Sequence, residues 1–276
     1  SFFYVNPLEV NPKRIHGDER MGFVKPVRQK WFGCACCPPN IARLISSLGD
    51  YIISEDKDTV YTHLLIASDI DLGDEKGSLH INAELTRDGR VEFDVKHRKD
   101  FKLAVRIPYW GRSFKVIRNG NPVEKNELDI KAGYMYFDIS SDEKIVIDYE
   151  IKPVIVGCSP LVQENTGKAA VMRGPFVYCL EEVDNGENLH LLKLSDNPEL
   201  TYENGVITAN GMRVNTQADS DMEGGRDTEN GGDGLYRDNL YNEYKPETYK
   251  PVKLTFVPYY SWANRGENEM TVYVRV

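Results

Sequence analysis

Apolar positions along this chain change period once, and the change divides it. Residues 1–33 are an aromatic, proline-punctuated approach that ends in KPVRQKWFG. In IARLISSLGDYIIS, Ile41, Leu44, Ile45, Leu48 and Ile52 recur near the helical period of about 3.6 residues. The spacing predicts a helix over 39–53 with that apolar face buried. Pro38 or Pro39 suits an early helical position, where a missing amide proton costs little. Ser46 and Ser47 are weaker helix formers but leave the periodicity intact.

After residue 55 the period falls to two. Val91, Phe93 and Val95 alternate with polar neighbours in RVEFDVKH, as a half-buried strand requires. TVYTHLLIASDIDL, SLHINAELT, FKLAVRIPYW, GYMYFDI and KIVIDYEIKPVIV continue the pattern, with GDEKG and RDG as turns between them. Asn119-Gly120, between SFKVIR and NPVE, is a hairpin signal. A second strand-rich stretch begins near residue 158, with AAVMRGPFVYCLEEV, GVITANGMRV, PVKLTFVPYYSW and EMTVYVRV. The fold class expected is mainly β: one or two antiparallel β-sandwich domains after a short helical segment. The expected division is 1–55, 56–157 and 158–276. The acidic, glycine-rich ADSDMEGGRDTENGGDG reads as a loop, since it cannot itself build an apolar core.

Composition narrows the class. Hydrophobic residues make up 41% and charged residues 28%, as in a folded globular protein. The formal charge of -9 argues against a nucleic-acid partner, whose binding surface should be basic. No apolar run approaches the roughly 20 residues needed for a transmembrane segment.

Five cysteines do not make a disulfide-dense scaffold. Cys34, Cys36 and Cys37 crowd into GCACCPPN, while Cys158 and Cys179 stand far away. Reduced thiols, with or without a metal, are the economical reading. They lean towards a reducing compartment such as the cytoplasm without assigning one. A thiolate is both a zinc ligand and a nucleophile, and a helix N-terminus favours it. Adjacency of Cys36 and Cys37 departs from CxxC spacing. Local chemistry therefore leaves open a structural cluster, a zinc site and a catalytic thiolate.

YVNPLEV, WFGCACCPPNIARLISSLG, FKLAVRIPYW and VIRNGNPVE together resemble glycoside hydrolase family 127. RGPFVYCLE and PYYSWANRGENEMTVYV extend the likeness to the C-terminal part. That family includes non-reducing-end β-L-arabinofuranosidases. The resemblance implies that Cys36 is the catalytic nucleophile and a zinc-associated thiolate, and that Cys37 is a second zinc ligand. It leaves Cys34 in the local shell and Tyr4, in the YVNP motif, as a candidate substrate contact. An upstream glutamate and cysteine would complete the zinc site, and a further upstream glutamate would be the acid/base. The likeness covers only the rear part of a typical family member. The expectation is thus a short helical remnant of an upstream (α/α)6-barrel catalytic domain, acting on arabinofuranosyl-containing glycans in the parent and catalytically incomplete alone.

Other features are weaker. Trp31 fits a pocket wall or an anchor beside the helix, and Arg43 fits an ion pair or a solvated face. His16, His63, His80, His97 and His190 lack metal spacing and read as locally hydrogen-bonded or exposed. Asp219, Asp221, Glu223 and Asp227 imitate a calcium loop, but Asn230 stands where the final glutamate should. The alternative function is an accessory carbohydrate-binding or complementation module, with Tyr109, Trp110, Tyr259, Tyr260 and Trp262 as stacking candidates.

Overall fold

The computed structural model describes residues 3–21, 24–216 and 244–276. The fold is mainly β. Contacts group the chain into two compact units. One comprises Ser1–Asn6, Arg28–Val154 and Met172–Val177; the other comprises Pro7–Val27, Ile155–Val171 and Tyr178–Val276. The acidic segment with the calcium-like spacing lies outside the described residues.

In the first unit the alternating pattern builds two sheets around one apolar core. The larger runs in the order Ser68–Asp71, Gly77–Ala83, Arg90–His97, Glu143–Tyr149, Phe114–Arg118 and Asn121–Val123. Phe93 sits opposite Ile81 on one neighbour and Ile145 on the other, and all three are fully buried. The smaller sheet orders Asp129–Lys131, Tyr134–Ile139, Phe101–Arg106, Thr59–Thr62 and Ile53–Glu55. Its Val60, Leu103, Met135 and Phe137 join the same cluster as Phe93 and Ile145. Asn119 and Gly120 both take positive φ, 50° and 83°, which gives the hairpin the turn twist its sequence predicts.

Two pairings depart from the antiparallel expectation: Leu192–Leu194 runs parallel to Tyr273–Arg275 and, in this unit, Thr59–Thr62 runs parallel to Phe101–Arg106. The chain between them passes through three strands of the other sheet, a connection long enough for a parallel crossover.

The second unit is organised by a ten-stranded sheet. An added pairing between Lys168–Arg173 and Phe176–Glu181 closes a ring with Tyr249–Pro258, Val206–Val214, Leu192–Leu194 and Tyr273–Arg275. Closure leaves those six strands without exposed edges, which two open facing sheets would retain. Leu180, Leu192, Leu194, Ile207, Leu254 and Phe256 are almost wholly buried. Glu9–Val10 pairs antiparallel with Met270–Thr271, which explains why Pro7–Val27 groups with the C-terminal unit.

The expected long helix is broken and turned outward. It occupies Cys37–Ser46, and a short helix follows at Gly49–Ile52. Ile52 is buried and Leu48 packs against the sheet core. Ile41, Leu44 and Ile45 are instead 57%, 50% and 65% exposed. The expectation of one continuous buried face therefore fails for its first half. Periodicity reports that a face is apolar; it does not say where the covering surface lies.

Candidate functional site

The site is assembled by a loop and the first turn of the Cys37–Ser46 helix. Cys36 is the N-cap residue and Cys37 the first helical residue, so the adjacent thiols sit at the helix entrance. Pro38 and Pro39 follow within the first turn and carry no N–H. They remove two of the donors that a helix start normally leaves unpaired. Cys36 makes no side-chain capping bond.

The two thiol sulfurs, Cys36 Sγ and Cys37 Sγ, lie 3.7 Å apart. Cys34 and Cys36 are exposed, and Cys37 is half-buried. Tyr4 stands beside this group. Burial chiefly, then the negative potential of Cys36, Cys34 and Cys37, pushes its phenol up to about 12. The tyrosine is thus a protonated donor at neutral pH. Its ring stacks on Phe32, with centroids 4.3 Å apart and planes inclined by 8°. Stacking ties the YVNP segment to the loop that delivers the cysteines.

Sequence reasoning named Tyr4, Cys34, Cys36 and Cys37, and the structure brings all four together. It overlooked Phe32, although an aromatic just before the cysteine run was a usable signal. Arg43 is exposed and donates to Asn40 Oδ1 at 2.8 Å, one helical turn away. Trp31 is 62% exposed. Cys179 is buried and its thiol is pushed up by desolvation, while Cys158 donates weakly to the Asn165 carbonyl.

His16, His80 and His97 pair with Glu267, Asp69 and Asp100, and His63 lies between Ser54 and Tyr134. The five aromatic stacking candidates separate sharply. Trp262 is core, Trp110 packs against the sheet core and Tyr259 donates to the Pro7 carbonyl, whereas Tyr109 and Tyr260 are exposed.

Among the described residues no group of three or more His, Cys, Asp or Glu side chains is placed to hold a metal ion. The cysteine pair nonetheless fits part of a zinc site. Two sulfurs bound at about 2.3 Å in tetrahedral geometry stand about 3.8 Å apart, close to the separation observed. No described helix is long and apolar enough to cross a membrane.

The chain thus sets a thiol pair at a helix entrance ahead of two strand-rich units. Three family models meet the chain in that order: the GH127 β-L-arabinofuranosidase catalytic domain over 1–50, the GH127 middle domain over 59–151 and the glycoside hydrolase family 127 C-terminal domain over 153–275. The chain belongs to glycoside hydrolase family 127.

It is 33% identical over 293 aligned positions to a non-reducing end β-L-arabinofuranosidase of Bifidobacterium longum subsp. longum, covering 99% of this chain and 42% of that protein. The crystal structure of a GH127 β-L-arabinofuranosidase from Geobacillus stearothermophilus T6 matches with a TM-score of 0.82 and 38% identity, over 99% of this chain and 42% of that one. A GH127 β-arabinofuranosidase structure matches with a TM-score of 0.75 and 28% identity, over 100% of this chain and 42% of that one. The chain therefore spans less than half the length of these relatives.

Proposed function

We propose that these residues are the rear portion of a zinc-dependent retaining glycoside hydrolase that releases terminal β-L-arabinofuranosyl groups, with Cys36 as its nucleophile. The observation that carries this reading is the Cys36–Cys37 pair, 3.7 Å apart beside Tyr4 at a helix entrance, in a chain of family 127. Cys36 and Cys37 would hold zinc, with the remaining ligands supplied by an upstream segment. Bound zinc would keep the thiols ionised and lower the barrier to sulfur's departure.

In the first half of the reaction the Cys36 thiolate attacks the anomeric carbon. A C–S bond forms as the glycosidic C–O bond breaks, and a carboxylic acid from outside these residues protonates the departing oxygen. In the second half that carboxylate takes a proton from water, whose oxygen attacks the same carbon. The C–S bond breaks, the thiolate returns and two inversions leave the configuration retained. Tyr4, protonated and beside the thiols, would offer its hydroxyl to the sugar.

The exposed stripe of Ile41, Leu44 and Ile45 suits a helix that completes an upstream (α/α)6 barrel, with the two-sheet unit as a β-sandwich beside it. The C-terminal unit is then a second β-rich scaffold. In the parent-length enzyme Cys36→Ala should abolish release of arabinose from a terminal β-L-arabinofuranoside. The 276-residue chain with zinc should turn the same substrate over negligibly. Robust turnover by the chain alone, lost in C36A, would show that the machinery is complete here and overturn the division of labour.

A further inference from the structure

Two clefts in the first unit, of about 410 Å³ and 430 Å³, flank a single projecting side chain, Tyr109. Tyr109 is 82% exposed. The Arg112 guanidinium lies 4.4 Å from the centre of its ring, which holds the tyrosine upright as a fin. Arg106 lines both clefts, and Arg112 lines the second.

Among the described residues neither arginine has an ion-pair partner and no aspartate or glutamate lines either cleft. That is notable in a chain of charge -9, whose Arg90, Arg98, Arg118, Arg265 and Arg275 all meet carboxylates. Across the floor, His63 Nδ1 and the Tyr134 hydroxyl are 2.8 Å apart, one facing each cleft. Leu64, Ile66 and Pro108 supply apolar walls.

We propose that this paired cleft binds an acidic carbohydrate, a glycan segment that carries a uronosyl residue. The open face of Tyr109 takes the C–H face of a sugar ring. Arg106 and Arg112 present planar forks that match a carboxylate with two parallel N–H bonds. The His63–Tyr134 pair supplies both a donor and an acceptor to sugar hydroxyls. The overall negative charge disfavours a polyanion such as a nucleic acid, whereas one carboxylate needs only the local pair of guanidiniums. The choice of a sugar rests on the chain's place among glycoside hydrolases; none of Tyr4, Cys34, Cys36 and Cys37 lines either cleft.

Isothermal titration of the full chain with trigalacturonate tests this, with arabinotriose as the neutral sugar and triglutamate as the non-sugar anion. Trigalacturonate should bind saturably, and arabinotriose and triglutamate at least tenfold more weakly. Arg112→Gln and Arg106→Gln should each weaken binding about ten- to a hundredfold, the usual range for a charged hydrogen bond. Tyr109→Ala should do likewise with an unchanged melting temperature, since its ring is largely outside the core.

Binding should persist in Cys36→Ala, which separates this cleft from the proposed hydrolytic site. Equal affinity for the neutral sugar or for triglutamate would overturn the assignment, as would indifference to the arginine substitutions. Loss of binding in C36A would place the ligand at the cysteines instead.

Discussion

The exposed stripe on the Cys37–Ser46 helix makes a prediction that separates a free surface from an interface. The perturbation is the triple substitution Ile41→Ser, Leu44→Ser and Ile45→Ser. In the 276-residue chain these side chains are 57%, 50% and 65% exposed, so they behave as surface positions. Surface changes usually stay within about 0.5 kcal/mol each, so the triple variant should lose no more than about 1.5 kcal/mol.

In the longer enzyme proposed above, upstream helices would cover the stripe. Fully burying such a side chain is worth about 2 kcal/mol, and roughly half of each is still open here, which leaves about 1 kcal/mol apiece. Area alone then predicts a loss of about 3 kcal/mol, rising to about 6 kcal/mol with the cavities that remain. Urea unfolding of both lengths, wild type against variant, reads the difference through the midpoint at constant slope. Equal losses in the two proteins, or a smaller loss in the longer one, would refute the idea that the stripe is an internal helix contact.

Three further outcomes follow from the described packing. Phe93→Ala, at a fully buried position between the strands of Ile81 and Ile145, should cost about 3–5 kcal/mol in calorimetric or urea unfolding. Arg118→Met should strand Glu143, a carboxylate with 4% side-chain exposure that accepts from Arg118 Nε and Nη2 at 2.5 and 2.7 Å. Discounted for the 34% exposure of Arg118, the loss should be about 2–4 kcal/mol, with Arg118→Lys recovering part of it.

Glu92 accepts from Lys144 and Arg90, which hold its carboxyl below its ordinary value of 4.5. Its contribution is therefore present above about pH 4.5 and lost as pH falls through the lower folded value. Glu92→Gln should flatten the acid limb of stability against pH while leaving the neutral and alkaline limbs parallel to wild type.

Much of the β architecture was legible residue by residue. Val91, Phe93 and Val95 point inward as their alternation requires, and the Asn119-Gly120 turn forms where its dipeptide demands positive φ. These signals are local: a strand's two faces and a turn's handedness follow from a few neighbouring residues. The cysteine site was also legible as a set, because Cys34, Cys36 and Cys37 are sequence neighbours and Tyr4 came with its motif.

The stack of Tyr4 on Phe32, the parallel entry of Thr59–Thr62 and the grouping of Pro7–Val27 with the C-terminal unit were not legible. Each joins segments that no short-range pattern connects. The aromatic candidates make the same point: Trp262 and Tyr109 read alike in sequence, yet one is core and the other a fin.

By itself, the sequence determined the period of each segment, the turn positions and membership of a family. Those properties reside in residue identity and short spacing. Only the tertiary structure decided which apolar faces are covered, how six strands close into a ring and which charges stay unpaired. Burial and pairing depend on distant surfaces meeting. The outward stripe of Ile41, Leu44 and Ile45 and the carboxylate-free clefts beside Tyr109 become visible only when those surfaces are in place.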